Sequence, residues 1–212
     1  MRDTFKGILT PNQLMALASI VQVGEAAYQE LMEEHLPVFG HPFLGDIKGR
    51  IRTKLVQMQC EIESHDPKFP FEFVQRTFSY KHCIPELRSK NLILHVARSD
   101  APDQLPYAAR YKVKLSHNNH PIQRQMMIDL SEKPPYGEAP FYAILTFGGH
   151  AETMFSVIQF PEPGYTGIAE VFPLPQLILS SESETTKVFE RKKASLKQEL
   201  LARSDNIEGG IV

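Results

Sequence analysis

The 212-residue sequence predicts an α+β protein: an N-terminal helix pair packed on a mainly antiparallel sheet of about five or six strands, with a C-terminal helix. Three observations carry this expectation. Apolar residues recur at helical spacing across residues 11–64. From Leu92 the period shortens to two, as in strands whose side chains alternate between faces. The alternating segments follow one another without intervening helices, which favours an antiparallel meander over parallel crossover units.

Thr10-Pro11 supplies an N-cap and a proline at the first helical position. Leu14, Leu17, Val21, Tyr28 and Leu31 then fall near one face, and Pro37 stops the helix. After the corner Gly40-His41-Pro42, a second helix carries Leu44, Ile47, Ile51, Leu55, Met58 and Ile62 on one stripe. Lys48, Arg50, Arg52 and Lys54 border that stripe on both sides, where their stems can lie over apolar surface. Gly45 and Gly49 sit one turn apart on its far face, a spacing that suggests close packing of the first helix.

Residues 65–90 mix aromatics, proline and charge, and fit either short strands or an irregular packed segment. Candidate strands follow at 92–97, 107–115, 122–130, 141–147, 154–160 and 168–172, separated by loops rich in Pro, Gly, Asn and Asp. The strand FYAILTF at 141–147 is apolar on both faces, which assigns it a central position. A last helix spans about 182–203, with Val188, Phe189, Leu196 and Leu200 on one side and a crowd of cations elsewhere. The expected organisation is a single domain over 1–205, with 206–212 as a frayed tail.

Composition excludes some classes. Apolar residues make up 42% and charged residues 23%, which is globular usage. The net charge of −2 supplies no global attraction for nucleic acid, so any such binding needs a local patch. Cys60 and Cys83 form no CxxC pair and read as free thiols. No apolar run approaches the length of a membrane span and no signal-peptide core is visible, so the expected setting is cytoplasmic, away from the membrane.

One local patch stands out. As a strand, Tyr107–Leu115 would point Arg110, Lys112 and Lys114 to one side and Ala109, Tyr111, Val113 and Leu115 to the other. Pairing it with 122–130 through a hairpin at HNNHP would set Lys114 opposite Gln123 and Lys112 opposite Gln125. The expected nucleic-acid-binding residues are therefore Arg110, Lys112, Lys114, Gln123 and Gln125. Lysines and glutamines so arranged could contact phosphates and base edges. A solvated outer sheet face would carry the same pattern.

Catalytic signals are weak. His117 and His120 are three apart in the expected hairpin loop, with no third ligand near in sequence. His35, His41 and His150 lie in turns, and Asp129, Glu132, Lys133 and Glu170 make no convincing two-metal arrangement. No metal, no cofactor and no catalytic residue is assigned, and enzymatic status stays open. The favoured expectation is a non-enzymatic accessory or regulatory protein that associates with DNA or RNA through the basic sheet face. A protein-interaction module, acting as a dimer or inhibitor, is the first alternative. A hydrolase or nuclease with histidine chemistry is the second.

Overall fold

A computed structural model describes residues 5, 7–78, 83–119, 139–149, 153–176 and 184–208. It divides into two compact units. The sheet unit comprises Phe69–Pro175 with the chain up to Met15, and the helical unit comprises Ala16–Lys68 with the chain from Gln176. The α+β class and the C-terminal helix are as expected, and no described helix is long and apolar enough to cross a membrane.

Helix α1 runs Pro11–Glu34. Thr10 and Gln13 cap it reciprocally: the Gln13 amide donates to Thr10 Oγ1 at 3.3 Å, and the Thr10 amide to Gln13 Oε1 at 2.9 Å. The short helix α2, Leu36–Phe39, and a 3₁₀ turn, Pro42–Leu44, form the corner. Helix α3 runs Gly45–Glu63, and helix α5 runs Glu184–Glu208, past the expected end at 203.

In the helical unit, Val23, Ala27 and Tyr28 of α1, Leu55 of α3, and Phe189 and Leu196 of α5 form one buried cluster. The close approach between α1 and α3 falls at Gly24, where a Cβ would lie 2.8 Å from the Cα of Val56. Gly45, expected to mark such a contact, faces open space. Arg52 does not border the stripe in solvent. It is buried in an ion pair with Glu25 at 2.7 Å. The cations of α5 are also engaged: Lys192 reaches Glu63 at 2.7 Å, and Lys197 reaches Glu30 at 2.6 Å.

The sheet has six strands: β1 Glu72–Thr77, β2 Cys83–Ser89, β3 Leu92–Arg98, β4 Phe141–Gly148, β5 Phe155–Pro161 and β6 Ile168–Pro173. Their spatial order follows the sequence. All neighbours are antiparallel except β3 and β4, which pair in parallel from Leu92↔Phe141 to Arg98↔Phe147. Strand β4 is buried along its whole length and central, as its two apolar faces predict. Pro85 of β2 pairs with Gln75 but lies before the register with β3 begins at Glu86, so its missing N–H costs no ladder bond on that side.

A parallel pair needs a crossover connection, and the described part of the chain between β3 and β4 holds a helix where a strand was expected. Residues 107–109 are irregular, and Arg110–Ser116 form helix α4. This overturns the expected strand at 107–115. The expected strand at 122–130 lies outside the described residues.

Candidate functional site

Helix α4 redistributes the cations that a strand would align. At 100° per residue, Arg110, Lys114 and His117 share one face, while Lys112 turns to the opposite side. Arg110, Lys114 and His117 are exposed. Lys112 is only 6% exposed. Its Nζ donates to the carbonyl of Tyr107 at 2.7 Å and lies 5.9 Å from the Tyr165 ring centroid. Burial lowers the Lys112 ammonium pKa to about 8. Lys112 is therefore a packing residue and not part of a cationic surface. Gln123 and Gln125 lie outside the described residues, as do His120, Asp129, Glu132, Lys133 and His150.

The exposed face of α4 borders an apolar hollow of about 520 Å³ floored by Ala108, Ala109 and Val113. Ala108 is shared with a second cleft of about 820 Å³, which includes Asp103, Tyr107, Tyr165, Thr166 and Glu170. Tyr107, in the larger cleft, is 93% exposed. Among the described residues no ion pair holds Arg110 or Lys114, and His117 is bonded to no carboxylate.

The segment leading into α4 is fastened by buried polar side chains. Ser99 Oγ donates to the carbonyl of Gln104 at 2.6 Å. Gln159 Nε2 donates to the carbonyls of Pro102 at 2.8 Å and Gln104 at 3.1 Å. The hydroxyl of Tyr165 donates to Pro106 O at 2.8 Å, although Tyr165 holds a left-handed backbone with φ of 65°. That conformation is unfavourable for a side chain of this size and needs such support. Burial raises the Tyr165 phenol above its ordinary value, so it remains a donor. After α4, Asn119 donates to Tyr142 O at 2.9 Å and Pro161 O at 2.7 Å and accepts from Tyr142 N at 2.9 Å.

A second charged group centres on the buried Glu86 and His95, with two arginines that reach solvent at its margin. Glu86 of β2 accepts from Arg76 at 3.1 Å, Arg88 at 2.6 Å and His95 Nε2 at 3.2 Å. With Nε2–H donating to the carboxylate, His95 Nδ1 accepts from the Tyr142 hydroxyl, 3.2 Å away. Tyr111 of α4 covers the histidine edge-on, with ring centroids 5.1 Å apart, and Phe78 stacks on Tyr111 at 4.8 Å. Burial alone would push the Glu86 carboxyl up, but hydrogen bonds from His95, Arg76 and Arg88 outweigh it and bring the pKa down to about 2. Burial keeps the Tyr142 hydroxyl protonated, well above its ordinary range.

This Glu86–His95–Tyr142 chain resembles a proton relay in its bonding, yet His95 is 2% exposed and lines neither hollow described above. It ties β2, β3 and β4 together under α4. Sequence reading passed over it. Its signals are one histidine inside the apolar run LILHVA and a glutamate inside a strand that was not assigned.

Among the described residues, no three His, Cys, Asp or Glu side chains are placed to hold a metal ion. Cys60 is buried and Cys83 half-buried, both free thiols. Comparison with family models, curated proteins and solved structures gives no match.

Proposed function

We propose that this chain is a nucleic-acid-associated accessory protein that engages phosphates through the exposed face of α4. The observation that supports this is the grouping of Arg110, Lys114 and His117 at helical spacing beside an open hollow. The cations are one turn apart, about 6 Å along the axis at 1.5 Å per residue. Both could therefore reach neighbouring phosphates on one strand. The patch is local, as a chain of net charge −2 requires. It is also anchored, since the segment before it and Asn119 after it are fixed by buried hydrogen bonds. The reading differs from the sequence expectation in leaving Lys112 out.

The test is binding of a labelled polynucleotide at low salt. Wild-type protein is expected to bind, with affinity falling as salt rises, and Arg110→Ala/Lys114→Ala is expected to bind at least tenfold more weakly. No binding by wild-type protein at low salt would end this reading.

A protein-interaction role has one observation of its own in the helical unit. Leu36, Val38, Phe43 and Ile47 are exposed at the corner before and into α3, with Phe43 at 86%. Salt-insensitive self-association, lost in Phe43→Ser, would favour it.

A further inference from the structure

Resting on the reading of α4 as a phosphate-binding face, we infer that Tyr107 is a stacking platform for a base of single-stranded nucleic acid. An aromatic ring in solvent keeps its face open for stacking, and every base has a face to offer it. Here the ring is almost fully exposed while its backbone is held from beneath, because the buried Lys112 Nζ donates to the Tyr107 carbonyl at 2.7 Å. The fixed backbone sets where the ring emerges and leaves its face open to a ligand.

The surroundings give the ligand a direction. Arg110 and Lys114 line the smaller hollow, Tyr107 lines the larger cleft with Asp103 and Glu170, and Ala108 is common to both. Phosphates are drawn to the first and repelled from the second. A strand whose backbone follows α4 therefore turns its bases toward Tyr107 and the cleft. Carboxylates there can accept hydrogen bonds from exocyclic amino groups of bases, which a phosphate could not offer. A duplex keeps its base faces stacked inside and cannot use the ring; a single strand can, and with little sequence preference.

The test compares a 5′-labelled oligodeoxyribonucleotide of about 12 nucleotides with its duplex by fluorescence anisotropy, a length within the range that single-strand sites cover. Wild-type protein is expected to prefer the single strand. Tyr107→Ala should weaken single-strand binding about 5- to 50-fold and leave duplex binding unchanged, while Tyr107→Phe retains the preference. Arg110→Ala/Lys114→Ala should weaken both. Circular dichroism melts should match wild type, because the ring makes no core contact. Equal binding of both forms, or a Tyr107→Ala variant with undiminished single-strand affinity, would overturn the stacking role while leaving phosphate binding standing. Binding to neither form would overturn both.

Discussion

The sheet unit holds two charged groups with opposite fates. Around Glu86, an acid, two arginines and a histidine close on one another, and aromatic rings seal the histidine. On α4, Arg110 and Lys114 stand in solvent beside open hollows, with no ion pair among the described residues. Charges that are mutually satisfied and buried contribute to stability or specificity of the fold. Charges left open are available for a ligand. A histidine therefore says little by itself: His95 belongs to the first group and His117 to the second, and only their surroundings separate them.

The largest effect should come from opening the closed group. Glu86→Gln removes the one anion that satisfies His95, Arg76 and Arg88, and is expected to lower unfolding stability by about 3 kcal/mol, the scale for breaking a buried pair. Urea denaturation measures it. A loss below about 1 kcal/mol would class the group with surface ion pairs.

Acid should reach the same residue. Glu86 is held at about 2 in the fold, against an ordinary value of 4.5. The unfolded chain therefore takes up the proton first as pH falls. The stability that Glu86 contributes is complete above about pH 4.5 and is lost progressively toward pH 2. Urea midpoints across that window should fall more steeply for wild type than for Glu86→Gln.

Lys112 gives a smaller rise of stability with pH in an alkaline window. Its ammonium is held at about 8 in the fold against 10.5 ordinarily. From pH 8 upward the folded protein sheds this proton before the unfolded chain does, so stability should rise between about pH 8 and 10. Above pH 10 the raised phenols of Tyr142 and Tyr165 act against it, because the unfolded chain then loses protons more readily. Lys112→Met should abolish the rise. The smallest change belongs to Phe43→Ser, which should leave stability within about 0.5 kcal/mol, since its ring lies in solvent.

Much of the fold was legible because long segments obey one period. The cap at Thr10 and the two-faced apolar run of β4 are found as expected. The stripe of α3 is met in part: Leu55 is in the core, Ile51, Met58 and Ile62 pack against it, and Ile47 is exposed. Helix α4 was not legible, for a geometric reason. Residues four apart share a face in both a strand and a helix, so the pairs Arg110/Lys114 and Tyr111/Leu115 satisfy either period. Only residues two apart distinguish them, and Lys112 is the one that moves. Thus Arg110 and Lys114 keep their place as candidates and Lys112 leaves. The parallel pairing of β3 with β4 was hidden by the same misreading. The Glu86–His95–Tyr142 chain had no local pattern to find, because its bonded neighbours lie 9 and 47 residues apart and meet only across strands.

The most direct test of the division between open and closed charges is the salt dependence of single-strand binding in two variants. Lys114→Ala should flatten the slope of log affinity against log salt by about 0.7, the value for one phosphate contact on a single strand. Lys112→Met should leave the slope as in wild type, because its ammonium is buried beneath Tyr107 and meets no phosphate. A slope reduced equally by both variants would contradict this, and would mean that the three cations act as the flat face of a strand.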